Sequence, residues 1–302
     1  MVAKSRMETE MALSKIKDTE FKTDYSICEV TDYIQETYSK YRQLYLNENS
    51  KNHNFDINRL VSSILDKNPD MIVTCAYGQI IPKELIEYPK YGCINVHGSL
   101  LPKLRGGAPI HWAIINGEKE TGMTVMRMSE KMDAGDIISQ GILVIGEDEI
   151  LDSLYERMSI LGRDLLLETI PDIVDGIAQY VPQNESDVTF GFNVRREDEK
   201  IDFKKSSIDI KNLVRGLNSV PGAYTILDGK RMKIYQVSLL DNNYSNGKCG
   251  EIVAVEQDGM IVQCGDGFVK ILDIALEGRK RCLVKDYFNG VRKESLIGKV
   301  FE

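Results

Sequence analysis

The hydrophobic rhythm of the chain changes once, and that change sets the fold. Between residues 57 and 165, short β-forming runs alternate with stretches of helical period. Residues 71–76, 92–96, Met123 with Val125 and Met126, and 137–144 read as strands. Residues 57–65, 82–86, 109–116 and the Leu151, Leu154, Met158, Leu161, Leu165 face read as helices, with Asp56 as an N-cap and a turn at 77–79. Strands buried on both faces and separated by helices predict an α/β layered domain with a largely parallel, Rossmann-like sheet. After residue 200 the alternation stops. Asp228-Gly229, Asp258-Gly259 and Asp266-Gly267 sit between β-forming runs at 223–227, 232–240, 251–255, 260–264 and 268–274. Asp and Gly both tolerate the positive φ of tight hairpin turns, so this half predicts a small antiparallel barrel.

The 302 residues allow about two domains at roughly 150 residues each. Residues 181–200 lack periodicity and read as a linker between a domain at 55–180 and one at 201–302. Residues 1–54 are polar and Tyr-rich. Ile27, Val30, Ile34, Tyr38, Tyr41 and Tyr45 recur at helical steps, so this stretch reads as a helical segment of its own. The net charge of −8 is uneven: 200–302 holds 17 basic and 13 acidic residues, and 1–199 holds 21 and 33. A basic half can attract a polyanion, although an excess of this size is also ordinary surface variation. No apolar run is long enough to span a membrane. Six scattered Cys without a C-x-x-C pair argue against a zinc site or disulfide framework and fit a reducing cytoplasm. Three His leave little material for a His-rich metal centre.

The most informative stretch is 93–109, Cys-Ile-Asn-Val-His-Gly-Ser-Leu-Leu-Pro-Lys-Leu-Arg-Gly-Gly-Ala-Pro. Asn95 and His97 lie two apart on a strand, so their side chains share a face. An amide can donate to a developing oxyanion, and an imidazole can move a proton near neutral pH. A lone strand His is more often a hydrogen-bonded core group, so spacing alone does not settle its role. The strand ends in a loop, where ligands of open α/β sheets bind. Ser99, Leu100, Leu101 and Pro102 make a turn whose backbone could line that pocket. A carboxylate in Met132-Asp133-Ala134-Gly135-Asp136 could orient His97, provided the fold brings the two together.

These stretches, with Glu120-Thr-Gly-Met-Thr-Val-Met and Asn193-Val-Arg-Arg-Glu-Asp-Glu, resemble the folate-dependent formyltransferases over about residues 55–302. The branch acting on methionyl initiator tRNA matches best. Nucleotide-sugar formyltransferases and a catalytically impaired folate- or tRNA-binding relative are the alternatives. The resemblance implies a formyl donor, 10-formyltetrahydrofolate, and no metal. It implies Asn95, His97 and Asp133 as the catalytic trio, and Ser99, Leu100, Leu101 and Pro102 at the folate. It implies an OB-like C-terminal domain that holds tRNA, with Lys230, Arg231, Lys233, Arg279, Lys280 and Arg281 as candidate phosphate contacts. The family's opening strand and its Gly-Thr-Pro turn have no counterpart in residues 1–54, which implies an incomplete N-terminal part of the sheet.

Overall fold

The computed structural model describes residues 57–76, 81–240 and 244–302. The helical face expected within 1–54, the Asp56 cap and the turn at 77–79 lie outside the described residues. The chain divides into two compact units. One comprises Met1–His97, Val125–Ser139 and Ser159–Pro182, and the other Gly98–Thr124, Gln140–Met158 and Gln183–Glu302.

The first unit opens on one pair of parallel strands. Helix α1 (Ile57–Leu65) precedes β1 (Ile72–Cys75), α2 (Lys83–Glu87) and β2 (Cys93–His97). Strands β1 and β2 pair in parallel, from Ile72 opposite Cys93 to Cys75 opposite Val96. The four-stranded sheet runs β1-β2-β3-β4, where β3 is Glu120–Arg127 and β4 is Ile137–Val144. β3 and β4 form an antiparallel pair, with the Arg127 N–H on the Asp136 carbonyl and the Ile145 N–H on the Lys119 carbonyl, so the sheet is mixed and not the largely parallel one expected. Val61, Ile64 and Leu65 of α1 pack on Ile81, Leu85 and Cys93, so the helix period found in the sequence faces the sheet it should. A long helix, α4 (Leu151–Val174), follows β4 and runs through both units.

The second unit carries α3 (Pro109–Ile115), with proline at the start of the helix, where no intrahelical N–H is required. It also carries α5 (Ser207–Gly216), capped by the Ser206 hydroxyl accepting from the Asp209 N–H at 3.1 Å. Six antiparallel strands follow. They are β5 (Ala223–Leu227), β6 (Lys230–Leu240), β7 (Ile252–Val255), β8 (Met260–Gln263), β9 (Phe268–Leu276) and β10 (Cys282–Leu283). The path is β5-β6-β9-β8-β7, with β10 on β9. All three Asp-Gly pairs fall in hairpins. Only Asp228-Gly229 is a tight two-residue turn, with φ of 51° and 72° between paired Leu227 and Lys230. The other two pairs end wider loops, between Val255 and Met260 and between Gln263 and Phe268. Bulges near Gln236 bend β6, and Met232, Ile234, Ile252, Met260, Val262, Val269, Ile271 and Ile274 are fully buried inside the curl.

The last residues close this sheet. On the β5 side, the Glu302 N–H donates to the Ile226 carbonyl at 3.0 Å, and the Thr225 hydroxyl donates to the Glu302 carbonyl at 3.1 Å. On the β7 side, the Phe301 N–H donates to the Gly250 carbonyl and the Ile252 N–H to the Lys299 carbonyl, both at 2.8 Å. The tail thus satisfies backbone groups of two edge strands that would otherwise stand open. It is anchored by Phe301, which is 4% exposed and stacked on Phe203 at 5.4 Å.

The aperiodic stretch after α4 is fastened rather than loose. The Arg105 N–H donates to the Thr189 carbonyl, and the Gly191 N–H returns to the Arg105 carbonyl. The buried Arg105 guanidinium forks onto Gln183 Oε1 (2.8 and 3.0 Å) and Glu185 Oε1 (2.9 Å). The Trp112 indole N–H donates to the Phe192 carbonyl at 2.6 Å.

Because the tail closes the barrel through one buried ring, Phe301→Ala is expected to destabilise the second unit by about 3–5 kcal/mol. Urea unfolding monitored by far-ultraviolet circular dichroism reads that loss, and an unchanged midpoint would contradict the closure.

Candidate active site

Strand β2 places the first two site residues. It is buried along its length apart from Asn95, which is half-buried, and His97 is 6% exposed. Asn95 stands directly opposite Thr74 of β1 in the parallel register. The Thr74 hydroxyl lies 2.9 Å from Asn95 Oδ1, 3.2 Å from the Ile94 carbonyl and 3.7 Å from Met128 Sδ. His97 closes the strand, with Nδ1 3.7 Å from Asp133 Oδ1, and both side chains are shielded from solvent. That separation is longer than a hydrogen bond and within ion-pair range of a protonated ring.

Asp133 reaches this position through an uncommon backbone. Its φ is 48°, in the left-handed region, where Asp is better tolerated than most residues. Two residues on, Gly135 lies so close to the Arg127 carbonyl that a Cβ there would collide with backbone. The Arg127 N–H donates to the Asp136 carbonyl at 2.9 Å, and the Met128 N–H donates to the Cys93 carbonyl at 2.8 Å. The Asp133 loop is therefore tied to the end of β3 on one side and to β2 on the other. A left-handed non-glycine residue costs of order 1–3 kcal/mol, a cost tolerated at sites where the surroundings enforce it.

The turn of Ser99, Leu100, Leu101 and Pro102 belongs to the second unit and has its own polar support. Ser99 and Leu101 are buried, at 1% and 3% exposure. Fully buried Thr124 donates to the Ser99 carbonyl (2.6 Å), accepts from the Leu101 N–H (3.2 Å) and accepts from Gln140 Nε2 (2.9 Å). Gln140 Nε2 also donates to the Leu101 carbonyl at 3.0 Å. The Ser99 hydroxyl donates to the Lys103 carbonyl at 2.6 Å. One hydroxyl with all three of its bonds made holds the turn in a single shape.

The six basic candidates divide by environment. Arg231 lies over the Tyr224 ring at 3.9 Å and pairs with Glu199 at 3.1 Å. Arg281 lies over the Tyr235 ring at 4.2 Å and pairs with Asp273 at 2.9 Å. Lys233 donates to the Pro221 carbonyl at 2.6 Å. These three already have internal partners, Arg281 while remaining exposed, and Lys230, Arg279 and Lys280 are exposed as well.

Three polar residues that support these stretches are not marked by residue type alone. Thr74 and Thr124 sit in β-forming runs, where Thr is an ordinary strand residue. Gln140 sits in the middle of β4. Arg105 lies in the Arg-Gly-Gly-Ala-Pro stretch, yet its role is to fasten residues 183–191. Among the described residues, no group of His, Cys, Asp and Glu is placed to hold a metal ion, and no helix is long and apolar enough to cross a membrane.

An amide donor, an imidazole and a carboxylate gathered at the end of a parallel strand suit transfer of an acyl group between heteroatoms. Comparison with known proteins places the chain in that class. Residues 31–170 match the formyl transferase family, and residues 193–292 match the formyl transferase C-terminal domain. The first match begins ahead of residue 55, the start expected from the motifs. A methionyl-tRNA formyltransferase of Halalkalibacterium halodurans is 46% identical over 233 residues, 77% of this chain and 73% of that protein. One from Staphylococcus aureus is 45% identical over 240 residues, 79% of this chain and 76% of that protein. Among solved structures, HypX from Aquifex aeolicus in complex with tetrahydrofolic acid shares the fold, with a TM-score of 0.59 at 21% identity. That match covers 76% of this chain and 40% of HypX. An N-formyltransferase from Helicobacter canadensis, in complex with folinic acid and dTDP-3-aminofucose, gives a TM-score of 0.51 at 25% identity, over 64% of this chain and 69% of that one. The chain belongs to the formyl transferase family and carries its transferase domain and C-terminal domain in order.

Two measurements test this local structure. Gly135→Ala is expected to cost about 1–3 kcal/mol in urea unfolding, because the added methyl meets backbone that cannot move aside cheaply. Burial pushes the Cys93 thiol up to about 12, which keeps it protonated at neutral pH. Intact-mass analysis after iodoacetamide treatment of the folded protein should find Cys93 unmodified, and rapid labelling there would contradict the burial of β2.

Proposed function

We propose that this protein transfers a formyl group from 10-formyltetrahydrofolate to the α-amine of methionyl initiator tRNA, in the cytoplasm. The observation that carries the reading is the grouping of Asn95, His97 and Asp133, in a chain that shares 45–46% identity with methionyl-tRNA formyltransferases over most of its length. When bound, the donor supplies a formyl carbon on a nitrogen that leaves readily, so the site needs no Lewis acid to activate it. Ser99, Leu100, Leu101 and Pro102 are the residues proposed to meet the donor, and the rigid support of their turn favours that role.

The residues divide the work by their chemistry. The amine nitrogen of the acceptor forms a bond to the formyl carbon, and charge develops on the formyl oxygen. The Asn95 NH₂ group donates to that oxygen, which is worth most in a half-buried site. The Asp133 carboxylate faces His97 Nδ1, so the proton of the neutral ring resides on Nδ1 and Nε2 is left as the base. His97 Nε2 takes the proton lost by the attacking nitrogen and returns it to the departing donor nitrogen as the carbon–nitrogen bond breaks. Atoms and charge then balance, with one proton moved and none consumed.

The acceptor's phosphates are proposed to meet the basic C-terminal half. Lys230, Arg279 and Lys280 present exposed charges for this. Arg231, Lys233 and Arg281 keep their internal partners and contribute through the N–H groups that remain. Such contacts position a nucleic acid without reading its sequence and weaken as salt rises.

The test incubates the purified chain with 10-formyltetrahydrofolate and methionyl initiator tRNA and measures formylmethionine released from the tRNA. Transfer should occur. His97→Ala should lower it by about 100- to 10,000-fold, and Asn95→Ala by about 100- to 1,000-fold, with folding preserved. Wild-type turnover in either variant would overturn the assigned role.

A further inference from the structure

Thr74 sits on the neighbouring strand, in register with Asn95, and no part of the reaction described above uses it. It is 9% exposed, in a strand whose adjacent Val73 and Cys75 are exposed, so its hydroxyl points into the sheet face that carries the site. A buried hydroxyl has one proton to give. Of its three neighbours, Asn95 Oδ1 is nearest at 2.9 Å, against 3.2 Å to the Ile94 carbonyl and 3.7 Å to Met128 Sδ. A carboxamide has two ends of nearly equal shape and opposite polarity, and only one of them can stabilise an oxyanion.

We infer that Thr74 is a positioning residue that sets the polarity of Asn95: by donating to Asn95 Oδ1 it turns the amide's NH₂ group toward the reacting carbonyl. The inference rests on the oxyanion role proposed above for Asn95. If the amide flipped, Oδ1 would face the developing negative charge and repel it. Without the hydroxyl both orientations are populated, and the fraction with NH₂ outward sets the rate. Substrate binding does not depend on that fraction, so the effect falls on kcat and leaves KM alone.

The experiment compares Thr74→Val, which keeps the shape and removes the hydroxyl, with Thr74→Ser, which keeps the hydroxyl and removes a methyl. Each is measured in the wild-type and Asn95→Ala backgrounds, with 10-formyltetrahydrofolate and methionyl initiator tRNA as substrates at steady state and tRNA varied in excess over enzyme. Thr74→Val should lower kcat by about three- to tenfold, the worth of one net hydrogen bond, at unchanged KM. Thr74→Ser should restore it. In the Asn95→Ala background Thr74→Val should cost nothing further, because the group it positions is gone. Thr74→Val at the wild-type rate, or an equal loss in both backgrounds, would overturn the inference while leaving the role of Asn95 standing. Full transfer by Asn95→Ala alone would overturn both.

Discussion

Much of this molecule depends on the parallel pairing of β2 with β1. That pairing fixes a five-residue strand whose residues are buried except for half-buried Asn95. A strand held in this way cannot slip by one residue without turning its whole side-chain set over. The register therefore decides that Asn95 and His97 share a face, that Thr74 stands beside Asn95, and that the chain leaves the sheet immediately after His97. Chemistry placed at the end of such a strand is positioned by the core.

The loops follow the same logic with polar groups in place of apolar ones. Asp133 adopts its left-handed backbone between two ties, one to Arg127 and one to Cys93. The turn at 99–102 is shaped by a single threonine hydroxyl and a glutamine amide. Arg105 fastens an aperiodic strap through its backbone and its side chain together. In each case a buried donor or acceptor is answered by a specific partner, because leaving it unanswered would cost more than the bond itself contributes. The C-terminal tail does the same for two strand edges.

Much of the fold was legible in the sequence, because it rests on periodicity and turn chemistry. The β runs at 223–227 and 137–144 appear with the bounds the pattern predicts, and all three Asp-Gly pairs mark hairpins. Two Asp-Gly loops are wider than expected, since loop length depends on strand register, which spacing between apolar runs does not determine. The pairing of His97 with Asp133 was legible only as a possibility, for the 35 residues between them had to fold before the two could meet. The partners of Thr74, Thr124 and Gln140 were hidden, although Thr124 lies in the 120–126 stretch that carries the resemblance. Each is an ordinary strand residue in composition and becomes informative only through the partner across the sheet. The internal pairing of Arg231 and Arg281 was likewise hidden, because a basic residue reads the same in sequence whether it faces solvent, a tyrosine ring or a carboxylate.

In the proposed reaction Asp133 orients the His97 ring so that Nε2 serves as the base. With only three histidines in the chain, long-range ¹H–¹⁵N correlation spectra of ¹⁵N-histidine-labelled protein resolve the tautomer of each ring directly. Neutral His97 should carry its proton on Nδ1 in the wild type, and Asp133→Ala should mix the two tautomers. A His97 ring protonated on Nε2 in the wild type would contradict it.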